Sequence, residues 1–106
     1  MAFIVGPVPE QFVREVATTP AAFQRDLHKA WPAGVVADQV SAEGGVFHLT
    51  DGGLSLEIQI EAAGVRCIGL LSLPLCRATY RFSGGDEAAR ARLLATLDRA
   101  MQRGGG

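Results

Sequence analysis

The chain of 106 residues has one lysine against nine arginines, one tryptophan, one tyrosine and two cysteines. No apolar run approaches the ~18 residues of a membrane-spanning helix, so no span is expected. The formal charge of −1 draws the chain toward neither nucleic acid nor an anionic membrane. Binding to single-stranded nucleic acid would also need exposed aromatic rings for stacking, and Trp31 and Tyr80 both read as core. No GxGxxG or Walker spacing occurs; the glycine pairs at 44–45, 52–53 and 84–85 read as turns. The first residues, MAFIVGPVPEQ, lack a basic leader region, and Gly6, Pro7 and Pro9 break their apolar run. The pattern is not that of a secretory signal. A cytoplasmic location with reduced thiols is therefore expected. The excess of arginine, with abundant alanine and glycine, fits a GC-rich bacterial coding sequence.

The two cysteines, Cys67 and Cys76, are separated by eight residues, a spacing unlike the short CxxC of zinc and redox sites. A hairpin turning near Ser72–Pro74 would place them on the order of ~10 Å apart. That exceeds the ~7 Å between Cα atoms that a disulfide tolerates. Both cysteines are accordingly expected to fill core space as small apolar groups. His28 and His48 are the only histidines. A zinc site from the two histidines and two cysteines would need helix and sheet to converge, and the side-chain parities oppose it. No metal, cofactor or catalytic residue is predicted.

The apolar share, 48%, is that of a folded protein rather than a disordered one, and the length suits one domain over residues 1–106. Residues 1–10 read as an extended arm and 104–106 as a flexible tail. Thr19-Pro20 predicts a helix start, a capping hydroxyl followed by a residue with φ preset. Phe23, Leu27, Ala30 and Trp31 would line one face of that helix. From Val46 the period becomes two. Asp51-Gly52-Gly53 predicts a hairpin turn. Leu54, Leu56, Ile58 and Ile60 then alternate with Ser55, Glu57, Gln59 and Glu61. Ala62-Ala63-Gly64 reads as the next turn, Val65–Leu71 as a strand broken at Leu73-Pro74, and Cys76–Phe82 as a strand. A last helix opens at Ser83–Asp86, with Ala89, Leu93, Leu97, Ala100 and Met101 as its stripe and Leu94 on the flank. The predicted order is (β)-α-(β)-β-β-β-β-α. This is an α+β two-layer sandwich, a four-stranded antiparallel meander covered on one face by two helices. The sheet has five or six strands if 11–16 and 35–40 are also extended.

The outward face of that sheet carries Glu57, Gln59 and Glu61 on one strand and Arg77, Thr79 and Arg81 on another. If Arg66 joins them, Ile68 and Leu70 are exposed on the same side. An apolar stripe rimmed by charges of both signs is the signature of a protein contact. The predicted interface is Glu57, Arg66, Ile68, Leu70, Arg77 and Arg81. It would serve a non-enzymatic protein, either a homodimer or one bound to a different protein. Arms such as FIVGPVP could pack across a neighbouring subunit. A second expectation is an apolar-ligand module with a pocket between helices and sheet near Trp31, Tyr80 and Met101. A third, ranked last, is an enzyme using Cys67 or Cys76 with His48, since catalysis wants polar groups converging in a cleft.

Two resemblances bear on this. The order strand, TP-helix, meander, C-terminal helix resembles a shortened helix-grip (START-like) fold, which implies an apolar ligand, although the strands are too few for that cavity. The stretch GVFHLTDGGLSLEIQIEAAGVRCIGLL resembles small bacterial proteins associated with polyhydroxyalkanoate granules. It covers residues 45–71 alone and carries no functional residue across.

Overall fold

Two-residue loops organise the sheet. In the computed structural model, which describes residues 7–101, Gly52-Gly53 joins β3 (Gly44–Asp51) to β4 (Leu54–Ile68), with Asp51 directly opposite Leu54. Gly69-Leu70 joins β4 to β5 (Leu71–Ser83), with Ile68 opposite Leu71. Before these come β1 (Gln11–Val16), α1 (Pro20–Ala30) and β2 (Val36–Ser41), and α2 (Glu87–Met101) follows. All pairings are antiparallel and the strand order is β1-β5-β4-β3-β2. β2 to β5 form a four-stranded antiparallel meander in which residues 36–41 supply the first strand, and β1 pairs with the open edge of β5. Residues 11–16 and 36–41 are thus both strands, giving five in all, and the α+β sandwich stands. The outer parts of the expected arm and tail, residues 1–6 and 104–106, lie outside the described residues.

Ala62-Ala63-Gly64 is not a turn, as its small residues suggested. The ladder runs from Ala62 opposite Cys76 to Val65 opposite Pro74. Ala63 and Gly64 therefore stand against Leu75 alone, which is a β-bulge with its glycine at φ +93°. The strand continues to Ile68, so two expected strands are one. Pro74 does not break β5 either. β1 ends at Val16 opposite Cys76, so beyond Cys76 β5 is an edge, where proline's missing N–H is tolerated.

The helices form where their caps dictate. The Thr19 hydroxyl accepts from Ala22 N at 3.2 Å, and the Asp86 carboxylate accepts from Ala89 N at 2.8 Å. α1 buries Pro20, Phe23, Leu27 and Ala30, and α2 buries Leu93, Leu94 and Leu97. Leu94, expected on the flank, is inside, while Ala100 is exposed. Both helices cover the sheet face made by Phe47, Leu49, Leu54, Leu56, Ile58, Ile60, Ala78, Tyr80 and Phe82. Full burial of one such side chain is worth about 1.5–3 kcal/mol. No helix among the described residues is long and apolar enough to cross a membrane.

The described part of the N-terminal arm lies on its own chain. Val8 is buried; its N–H donates to Glu87 Oε2 at 3.1 Å and its carbonyl accepts from Arg90 Nε at 2.9 Å. Glu10 O accepts from Phe82 N at 2.7 Å.

Candidate interaction surface

The two long strands have two different halves. Up to Glu61 on β4 and from Cys76 on β5, each strand has a second neighbour, β3 or β1. Beyond those points β4 and β5 pair only with each other. This distal ribbon reaches ~20 Å past the sheet at strand rise. Every residue from 61 to 72 is exposed. A lone two-stranded ribbon is at best marginally stable in water, so an apolar one calls for a covering surface.

Apolar it is. Among the described residues, the large hydrophobic side chains left exposed are Val13, Val36, Val65, Ile68, Leu70 and Leu71. Four of these six lie on the ribbon. Leu70, at the tip, is fully exposed at 105%. Gly69 has φ +60° and Leu70 has no positive φ, the pattern of a II′ turn. Asn, Asp and Ser are the usual partners of glycine there. A leucine at that position adds nothing to the turn and exposes a whole apolar side chain.

The bulge decides which side each ribbon residue takes. One extra residue in β4 switches its parity, so Arg66 and Ile68, opposite Leu73 and Leu71, continue the outward face of Glu57, Gln59 and Glu61. Arg66 is hydrogen-bonded to Glu15 of β1, itself opposite Arg77. The expected interface residues Glu57, Arg66, Ile68, Arg77 and Arg81 do share this side, with Leu70 in the turn at its end. They divide into two zones. On the body of the sheet Arg81 donates to Glu57 Oε2 at 2.9 Å and to Gln59 Oε1 at 3.2 Å, and His48 stands across from Glu57 at 4.0 Å. The half-exposed Arg81–Glu57 pair neutralises its own charges and is worth ~0–1 kcal/mol. The apolar residues collect on the ribbon.

The cysteines also divide. Cys76 is buried, and its thiol donates to Thr18 O at 3.2 Å; burial pushes its pKa up. Cys67 is exposed on the ribbon, 3.8 Å from the Ser72 hydroxyl, which corrects its expected place in the core. Its cross-strand neighbour is Ser72, while Cys76 stands opposite Ala62, and both thiols are free. No group of three or more metal-ligating side chains gathers among the described residues.

Trp31, Tyr80 and Met101 pack with the core cluster, Tyr80 only 3% exposed. They line neither of two surface hollows. One hollow, about 330 Å³, lies against His48, Glu57, Arg81 and Ser83. The other, about 510 Å³, lies in the angle between the ribbon's base and the start of α1. Pro20, Ala21, Val40, Ala42, Pro74 and Leu75 are among its lining residues, and no charged side chain lines it.

Sequence reasoning missed one cluster. Arg14 points to the helix side of β1 and forms a two-pronged ion pair with Asp98 of α2, at 2.8 and 3.0 Å. Its guanidinium lies 4.6 Å from the Tyr80 ring centroid, and Tyr80 stacks on Phe12 at 4.9 Å. Burial disfavours the Arg14 charge, yet the contacts with Asp98 and Tyr80 outweigh that and hold its pKa above the ordinary value. This is a lock between β1 and α2. The hint was a charged residue at the inward parity of Phe12 and Val16; the partner 84 positions on gave none.

No family model matches this chain, and no curated protein matches it either. Neither resemblance noted above gains support from them.

Proposed function

We propose that this is a non-enzymatic protein that works through protein–protein contact, assembling as a homodimer through the distal ribbon and the outward face that continues it. The observation that carries the reading is Leu70, a fully exposed leucine where turn chemistry favours a polar residue, flanked by Ile68 and Leu71. A soluble chain gains nothing from such a tip unless another surface covers it. The arginine-rich, lysine-poor composition supports a bacterial source.

Sedimentation equilibrium of the wild type and Leu70→Asp tests the reading. Gly-Asp suits the turn, so the fold survives while the tip becomes charged. Two tips lie in each dimer, and each buried leucine is worth at least ~1.5 kcal/mol. The variant's dissociation constant should therefore rise at least ~100-fold. An unchanged constant removes the ribbon from the interface.

A second reading has one observation in its favour. The uncharged hollow of about 510 Å³ falls in the size range of small-molecule sites. It would suit an apolar ligand at the ribbon's base rather than between Trp31, Tyr80 and Met101. Extra mass on the protein as purified, by native mass spectrometry, would support this reading over the first.

A further inference from the structure

Two apolar stretches of the chain carry no charged side chain. One is the ribbon from Cys67 to Cys76, with Ile68, Leu70 and Leu71 exposed. The other is the arm from Met1 to Val8, with Phe3, Ile4 and Val5 at its centre; its residues 1–6 lie outside the described structure. The point from which this arm starts is fixed. Val8 is held by Glu87 and Arg90 of α2, and Glu10 O accepts from Phe82 N. That is the end of β5 opposite to the ribbon. Pro7 and Pro9 favour an extended path there.

From this we infer that Phe3, Ile4 and Val5 of each copy cover the ribbon of the other. The inference rests on the dimer reading above and names the segment that does the covering. Reach decides against the chain's own ribbon. Phe82 and Leu71 are eleven residues apart on β5, ~36 Å at strand rise. Phe3 stands seven residues before Glu10 and reaches at most ~25 Å from it. Ile68, Leu70 and Leu71 of the same chain therefore lie beyond the arm. A two-fold axis across the strands reverses the second copy, and each ribbon then points to the end of the sheet from which the other's arm starts. Each copy gives one arm and receives one, so the contact closes at two copies instead of growing into a fibre. The chemistry also matches, because no charge on arm or ribbon has to be stripped of water. Backbone groups select the edge. Past Ala62, whose N–H donates to Glu43 O at 2.8 Å, β4 has no neighbour but β5. Pro74 removes a donor from the outer edge of β5, so an added strand finds its main-chain partners on the β4 side. Each ribbon is incomplete without the other copy's arm.

Sedimentation equilibrium of Phe3→Asp, together with cross-linking to the native thiol of the ribbon, tests this placement. Phe3 lies outside the packed core, so the dissociated variant should melt as the wild type does. Its dissociation constant should rise at least ~100-fold, since two rings lose their cover in each dimer. For the cross-link, a chain carrying both Ala2→Cys and Cys67→Ser is mixed with wild type and oxidised gently. Cys67 is exposed on the β4 side of the ribbon and Cys76 is buried, so the thiols available are one on the arm and one on the other chain's ribbon. The expected disulfide joins the arm of the variant to Cys67 of the wild type, ahead of arm-to-arm and ribbon-to-ribbon products. A wild type that sediments at the single-chain mass of 11.2 kDa overturns both the arm's placement and the dimer. A wild type of doubled mass whose Phe3→Asp variant associates unchanged, or whose oxidised mixture holds only arm-to-arm and ribbon-to-ribbon products, overturns the placement and leaves the dimer standing.

Discussion

Ile58 and Ile68 lie on the same strand, ten residues apart, and have opposite surroundings. Ile58 is fully buried against the helices, opposite Tyr80. Ile68 is 54% exposed, opposite an equally uncovered Leu71. What separates them is one extra residue at Ala63-Gly64 and the ends of β1 and β3. Up to the bulge, β4 belongs to a five-stranded sheet whose apolar face is covered by two helices. Past it, β-favouring residues continue, and among the described residues nothing covers them. A strand needs an apolar face to be stable, and only a surface from outside the described structure can supply the cover for the second half. On the proposed reading, the first half of β4 serves folding and the second serves association.

The largest expected effect breaks the contrast at its stable end. Ile58→Ala should lower folding stability by about 2–5 kcal/mol, the range for emptying a buried site. Ile68→Ala, measured by urea unfolding at concentrations where the chains are dissociated, should stay within about 0.5 kcal/mol. Similar costs for both would place Ile68 in a core of its own chain.

Next comes the lock that pins β1 to the body. Asp98→Ala strands a mostly buried Arg14 whose Nε already lacks a partner. It should cost about 2–3 kcal/mol, somewhat less than a fully buried pair because both ends keep some water contact. Adding Arg14→Met should recover part of that loss, because the uncompensated charge goes with it. A double-mutant cycle with no coupling would show the pair to be ornamental.

Smaller again is the alkaline limb. Burial raises the pKa of both Tyr80 and Cys76, so the folded state favours their neutral forms. A raised acid pKa leaves its contribution intact below the unfolded value and removes it as pH climbs through the folded one. Stability should therefore hold to about pH 9, fall above it, and fall less in Tyr80→Phe. Tyrosinate absorbance should appear together with unfolding; its appearance in the folded protein near pH 10 would contradict the burial of Tyr80.

The smallest effect is read from the thiols. A maleimide should label Cys67 quickly in the dissociated chain and Cys76 only on unfolding, since the Cys67 thiol is exposed and the Cys76 thiol is buried with its ionisation disfavoured. Equal rates would erase the division between the two halves.

What the sequence revealed follows from where its signals are local. The period-two alternation from Leu54 to Ile60, the double glycine after Asp51 and the Thr19-Pro20 start each specify structure within a few residues, and each appears as expected. The bulge was hidden because a small-residue run ending in glycine reads equally as a turn, and the choice between them depends on whether β5 continues alongside. The Gly69-Leu70 turn was hidden because leucine carries no turn signal. Pro74 read as a break because its tolerance depends on where β1 ends, which is a long-range fact. The same holds for the Arg14–Asp98 lock. Of the proposed interface residues, Ile68 lies on the side that parity beside Arg66 implied, whereas Leu70 sits in a turn rather than on a strand face, and the concentration of apolar residues at a projecting tip was not legible.

The central claim, that the second half of β4 and the first residues of β5 form an association element, is tested most directly by amide hydrogen exchange followed across dilution. The account predicts protection of residues 62–75 that rises with protein concentration, while residues 54–61 stay equally protected throughout. Exchange in the ribbon that is the same at every concentration would contradict it.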